Sequence, residues 1–447
     1  MTGEWSALGT ALLYGFLAIP LAFAGAGRER MLYRFQGGSD GATPLASMIA
    51  DREGNLYGTT NLGGGRASCA SGCGTVFELS PPAGPGDAWT ETVLYRFQDG
   101  NDGAYPDSSL IADQSGNLYG TTSAGGDGNC IVQDSEGCGT VFELVRPSTP
   151  GGAWAESVLY SFQGVPSGRG HGDLAEPNGI AFDKAGNLYG LAWSGGYCRT
   201  DETGTYCYGG GYELERPSVA GQEWKEQVIH IFHGPTGGPA GPVFDKDGNL
   251  YGRVGWGKYG FGEVFRLEPP TPPGTTWSKV SVYDFQGPDG AFPEAGLVFD
   301  REGNLYGATL GSPGYGSPNG NVFQLRPTRR VPWAESVLYK FTPPGTGSSP
   351  NGGPIVDADK HVYGTASEGG ELGSGVVFEL IPPGTQDSGW SYEVLYNFGS
   401  GDGSPAFGLT FGKDGALYGT TPSGGNPACG NAGGYGNGCG TVFKVVP

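Results

Sequence analysis

Asp300-Arg301-Glu302-Gly303-Asn304-Leu305-Tyr306-Gly307 decides the fold because it is not alone. The form Asp-x-x-Gly-Asn-Leu-Tyr-Gly recurs from Asp51, Asp113, Asp183 and Asp245, and weaker copies start at Asp357 and Gly412. Seven copies of one hairpin signature put a repeat architecture ahead of any count of ordinary domains for these 447 residues. The Asp carboxylate can accept hydrogen bonds from the turn amides ahead of it, and Gly supplies the left-handed backbone of a bulged hairpin. A calcium loop would need more oxygens from one segment. The seventh copy also replaces the Asp with Gly412, which a turn tolerates and a ligand would not. The stretch therefore reads as a structural turn.

Working outward, the same strands surround every copy. A short apolar strand such as Gly296-Leu-Val-Phe-Asp300 (strand A) precedes the turn, and Leu-Tyr-Gly (B) follows it. A glycine-rich loop leads to Gly-Thr-Val-Phe-Glu-Leu (C), as at Gly74–Leu79 and Gly139–Leu144. In the third unit strand C is degraded to Gly211-Tyr-Glu-Leu214. A final strand of the type Val-Leu-Tyr-x-Phe (D) recurs at Val93–Phe97, Val158–Phe162 and Val337–Phe341. Short strands rich in β-branched and aromatic residues, bounded by turn residues, predict a propeller blade in each unit. A parallel β-helix would need shorter coils, and a sandwich would not need seven copies of one hairpin. The expected fold is all-β: a seven-bladed β-propeller over 25–447 with four antiparallel strands per blade. The units run approximately 30–89, 90–154, 155–224, 225–277, 278–333, 334–390 and 391–447.

The phase follows from tryptophan. The C–D connection carries Trp89, Trp154, Trp224, Trp277, Trp333 and Trp390, whereas the first D-like strand, Met31–Phe35, has no such Trp before it. The chain also ends just after a C strand. Both observations follow if the N-terminal strand closes the last blade and hides two sheet edges. The six Trp residues read as packing groups rather than ligand platforms.

Composition limits the function. The 88 Gly and 34 Pro argue for many turns and against long helices, while the alternating apolar pattern argues against disorder. A net charge of -20 leaves no cationic footprint for nucleic acid and would be repelled by an anionic membrane surface. Residues 8–24 are apolar and end in Ala22-Phe23-Ala24, which predicts a signal peptide over 1–24, although Glu4 stands where basic residues are usual. No other stretch approaches spanning length, so no stable membrane span is expected after leader removal. The eight cysteines form close pairs: Cys69/Cys73, Cys130/Cys138, Cys198/Cys207 and Cys429/Cys439. Their unequal gaps argue against zinc and for disulfides in an oxidising compartment. They occupy the longer B–C loops, where a crosslink removes more conformational freedom.

The Gly-Asn-Leu-Tyr-Gly-Thr-Thr … Gly-Thr-Val-Phe-Glu-Leu pattern resembles the GloVer tandem-repeat, "choice-of-anchor" proteins of bacterial surfaces over about 30–447. The resemblance implies an exported bacterial protein, secreted or held in the periplasm or at the cell surface, and supplies no catalytic residues. Anchored members keep the anchor at the C-terminus, and none is expected in a chain that stops at Pro447. The Asp-x-x-Gly-Asn hairpin also carries a looser, fold-level likeness to NHL and gluconolactonase-like propellers.

The sequence has no Gly-x-Ser-x-Gly elbow and no Walker loop, and its four His are not at metal spacing. In a propeller the D–A and B–C loops share one face around the channel mouth, where scaffold-held loops carry function. Aromatics that break the template there are the candidate binding residues: Trp193, Tyr197, Trp256, Tyr259, Tyr315 and Tyr435, with Tyr105 and Phe292 beside them. Such rings suit a carbohydrate or protein ligand. The expected function is therefore non-catalytic binding by a monomer, with no cofactor. One alternative is a metal-dependent hydrolase or lyase, lactonase-like or acting on glycans. It would hold calcium or another divalent ion on carboxylates chosen from Asp40, Asp102, Asp289 and Asp402, with Asp173 and Glu176. The Asp-Gly-x-x-Pro loops that carry the first four also have a plain turn-forming explanation. A structural surface repeat is the third reading.

Overall fold

The structure, a computed structural model, describes residues 29–447 except 66–67, 85, 134, 150, 166–170, 203, 220, 235–236, 272–275, 312–313, 315–317, 386–388, 406 and 432. The expected leader lies outside the described residues. Seven antiparallel sheets, each a path of four strands, form the blades of a propeller. Blade 5 is representative: Val298–Phe299 (A), Leu305–Thr309 (B), Asn321–Arg326 (C) and Ala334–Lys340 (D). The inner strand is only two residues long in five of the blades, shorter than the motif suggested. Blade 3 departs most. Its strands His171–Phe182 and Leu188–Asp201 are long, and Gly204–Cys207 pairs back on the second of them.

The ring closes as the tryptophan phase required. Glu29–Arg34 is the outer strand of blade 7, antiparallel to Thr441–Val445, with Arg30 opposite Lys444 and Met31 opposite Phe443. All four cysteine pairs are disulfide-bonded. No helix among the described residues is long and apolar enough to cross a membrane.

The motifs are packing instructions. The Gly of Leu-Tyr-Gly lies opposite the Phe of Gly-Thr-Val-Phe, as Gly58 does Phe77. A Cβ on Gly58 would sit 2.7 Å from that ring. The same Phe meets the D-strand Phe of the preceding blade edge-to-face. Such pairs, Phe35–Phe77 at 5.1 Å and Phe285–Phe323 at 5.0 Å among them, occur at all seven junctions. Each contributes about 0.5–1.5 kcal/mol beyond its buried area. The tryptophans pack likewise across junctions: Trp89 on Tyr418, Trp154 on Tyr57, Trp277 on Tyr189 and Trp333 on Tyr251.

The hairpin turn is held as its sequence suggested. Asp300 accepts the Glu302 and Asn304 amides at 2.9 Å, the Asn304 side chain at 2.7 Å and the Tyr306 hydroxyl at 3.2 Å. Where Gly412 replaces the Asp, Asp414 takes over, accepting from the Ala416 amide at 3.2 Å and the Tyr418 hydroxyl at 3.0 Å.

A second repeated device joins neighbouring blades. The residue before Pro in the D–A loop has positive φ: Thr43 56°, Tyr105 61°, Glu176 55°, Phe292 58° and Ser349 56°. Each donates its backbone N–H to the previous blade, at the carbonyl just before strand C's leading Gly. The acceptors are Cys439, Cys73, Cys138, Phe261 and Asn319 in turn, at 2.7–3.0 Å. The following Pro covers that Gly. A Cβ on Gly74 would lie 2.6 Å from Pro106 Cδ, and Gly139, Gly262, Gly320, Gly375 and Gly440 face Pro177, Pro293, Pro350, Pro405 and Pro44 in the same way. The proline cover of this clip occurs at six junctions, five of them with the positive-φ donor. Between blades 3 and 4, among the described residues, a Cβ on Gly209 would first meet the backbone of Ala192 and Trp193.

Candidate functional site

The D–A and B–C loops surround one mouth of the central channel. A cavity of about 670 Å³ opens there, lined from all seven blades. Its floor is a ring of small residues at equivalent positions, including Ser47, Ser109, Gly179 and Gly241. Gly296 and Gly353 meet backbone to backbone, so a Cβ on Gly353 would lie 2.9 Å from the Gly296 Cα. Small residues here let the inner strands approach closely.

Polar groups that occur once in the repeat rise from this floor. Arg253 stands where the other blades carry Thr59, Thr121, Leu191, Ala308, Thr365 and Thr420. It is 8% exposed and pairs with Glu294 at 2.9 Å, while its Nε is buried with no hydrogen-bond partner among the described residues. Burial lowers its pKa, and Glu294 opposes that. Asp107, Asn178, Glu294 and Asn351 follow the clip proline of their blades, where blade 1 has Leu45. Asp107 has a buried Oδ1 without a partner. Burial, aided by the charge of Glu176, pushes its pKa up to about 7. Burial also raises Glu176, and a hydrogen bond to Ser194 opposes this.

Two expected aromatics line this cavity: Trp193, 40% exposed, and Tyr435, 46% exposed. Burial raises the Tyr435 pKa, and the charge of Asp107 adds to it. Trp256 and Tyr259 are half exposed on the blade 4 loop. Trp256 meets Phe292 edge-on at 6.0 Å, and Lys258 sits 5.1 Å over Tyr259. Tyr197 does not reach the channel lining. It joins His171, Tyr208 and His233 at ring separations of 4.9–5.9 Å between the connections of blades 3 and 4. Tyr315 lies outside the described residues. Tyr105 and Phe292 are both clip residues: Tyr105 is buried, 1% exposed, whereas the half-buried Phe292 ring meets Trp256.

The expected acidic ring also takes a different form. Asp40, Asp102, Asp289 and Asp402 each accept a hydroxyl from the D strand, from Tyr33, Tyr95, Tyr283 and Tyr396 at 2.6–3.1 Å. They also cap the next turn amide, at Gln36, Gln98, Gln286 and Gly399. Asp173 does the same with Tyr160 and Gln163. Each stays at its own junction beside the outer strands instead of converging on the channel. Among the described residues no three His, Cys, Asp or Glu side chains group as metal ligands. A glutamate of the adjoining D strand faces four of these aspartates: Glu91, Glu156, Glu226 and Glu335. Burial, with the Asp charge, raises each to about 7.

Sequence reasoning missed Arg253, Asp107, Glu294, Asn178 and Asn351. The available signal was a charge at one template position, Tyr-Gly-Arg in place of Tyr-Gly-Thr, and a polar residue after four of the six clip prolines.

With the blades and channel described, relatives can be placed. The Gloeobacter/Verrucomicrobia repeat matches residues 21–206 and 197–432. The chain belongs to that family. No curated protein matches it. Among solved structures, an ulvan lyase of a new polysaccharide lyase family aligns with a TM-score of 0.51 at 12% identity, covering 87% of this chain and 93% of the lyase. The extracellular domain of a one-component system from B. thetaiotaomicron aligns at 0.49 and 11%, covering 93% of this chain but only 41% of that protein. A protein carrying the name gluconolactonase aligns at 0.34 and 16%, covering 68% and 80%. At these identities the likeness concerns the propeller fold alone.

Proposed function

We propose that this protein is an exported, monomeric, non-catalytic propeller that binds a carbohydrate or protein ligand at the channel mouth, with disulfide-held loops as the rim. One observation carries the reading: Arg253, Asp107, Glu294, Trp193 and Tyr435, all departures from a sevenfold template, line one concave cavity. Its volume falls in the ligand-pocket range of about 300–1,000 Å³. The four disulfides fit an oxidising compartment. The lining offers carboxyl and guanidinium groups, hydroxyls and amides beside aromatic rings, the mixture that orients a ligand in a recess.

The test is a screen of the purified protein on glycan and protein arrays, with parallel turnover assays on lactone and glycan substrates. Saturable binding without turnover is the expected result. Turnover, or an absence of binding on both arrays, overturns the reading.

A further inference from the structure

The orphaned groups at the mouth narrow the choice of ligand. Arg253 Nε is a buried donor and Asp107 Oδ1 a buried acceptor, and neither has a hydrogen-bond partner among the described residues. Leaving such groups unsatisfied costs about 1–3 kcal/mol each. An anionic ligand would satisfy the guanidinium, but Glu294 already holds Arg253 at 2.9 Å and Asp107 adds a second carboxyl to the lining. An ammonium would satisfy Asp107 and leave the Arg253 donor unmet. A saccharide carries several hydroxyls, each able to accept from the one group or donate to the other. Trp193 and Tyr435 add exposed ring faces to the same cavity. Sugar rings present C–H faces to such surfaces and hydroxyls around their edges.

The geometry points to a neutral saccharide as the ligand of this mouth, its hydroxyls held by Arg253 and Asp107 and its rings packed on Trp193 and Tyr435. This rests on the binding reading above and supplies the ligand class. The repeat itself provides gentle test substitutions. Arg253→Thr installs the residue of blades 1, 2, 6 and 7, and Asp107→Leu that of blade 1. Both borrow side chains that the fold already accepts at those positions, and circular dichroism verifies folding.

The experiment measures binding of neutral gluco-oligosaccharides, uronate-containing oligosaccharides and amino-sugar oligosaccharides, with a protein array alongside. We expect the neutral series to bind, and each variant to weaken it at least tenfold. Preference for uronates or amino sugars overturns the neutral class and leaves a binding protein standing. Protein binding with no glycan binding does the same. Neutral binding that both variants leave intact overturns the site. Silence on every array removes both the class and the binding reading.

Discussion

The junction between blades 4 and 5 and the junction between blades 3 and 4 do the same job with different parts. In the first, Phe292 donates to the Phe261 carbonyl at 2.7 Å, Pro293 covers Gly262, and Asp289 caps the Tyr283 hydroxyl with Glu335 beside it. In the second a Cβ on Gly209 would meet backbone before any proline, His230 replaces the D-strand Tyr, and Lys279 replaces the Glu. Lys279 bonds Glu263 instead. Trp193 and Trp256 fill the space against Gly238 and Gly237. Blade 3 also carries Tyr212 where the other blades place Phe, and its hydroxyl is buried without a partner among the described residues. The template is strictest where blades must grip, and it lapses beside Trp193 and Arg253, which face the channel. The chain has placed its individual features where the repeat was released from packing duty.

Four experiments break or sharpen this contrast. The largest effect is expected from removing Glu29–Arg34, which strips the outer strand from blade 7. Cooperative thermal unfolding should be lost or fall by more than about 10 °C, since an open edge replaces a paired one. Next is Gly74→Val at a clipped junction. The new side chain meets Pro106 at a φ of 95°, and we expect a loss of about 3–5 kcal/mol in denaturant unfolding. An unchanged midpoint would show that the clip is decorative.

The third experiment exchanges the odd ring of blade 3 with the template ring of blade 2. Tyr212→Phe removes the orphaned hydroxyl and should raise stability by about 1 kcal/mol, whereas Phe142→Tyr should lower it by about 1–3 kcal/mol. If both changes destabilise, Tyr212 has a partner function of its own.

The smallest effect concerns pH. Glu91, Glu156, Glu226 and Glu335 are raised to about 7 in the folded chain, above their ordinary 4.5. A carboxyl with a raised folded pKa stabilises fully below its unfolded pKa, and that stability is lost as pH rises through the folded value. The melting temperature should therefore drift down by about 3–6 °C from pH 5 to 8. Glu156→Gln should flatten part of that drift, whereas Lys279→Gln at the junction of blades 3 and 4 should leave it unchanged. A flat profile in the parent protein would remove these glutamates from the account.

The fold was legible because every packing constraint is written seven times. Leu-Tyr-Gly and Gly-Thr-Val-Phe specify one glycine beneath one ring, and Asp-x-x-Gly-Asn specifies one turn. The missing Trp before Met31 told which strand was borrowed. The site was legible only in part. Trp193 and Tyr435 stood out as rings in loops, and the structure places both in the channel lining. Arg253 and Asp107 each occur once, on separate blades, and only closure of the ring brings them to one cavity. Tyr105 could not be told from an exposed loop aromatic in the sequence, because its burial depends on the preceding blade being in place. The Asp-Gly-x-x-Pro carboxylates looked like a ring in projection, yet each is spoken for by a neighbouring tyrosine.

The pairing of Glu29–Arg34 with Thr441–Val445 has a consequence for how the molecule comes into being. These two segments are the first and last strands of the propeller, and neither can find its partner until the whole intervening stretch is present. The ring therefore cannot clasp before all seven sheets exist, and its closure is the one contact that depends on every blade at once.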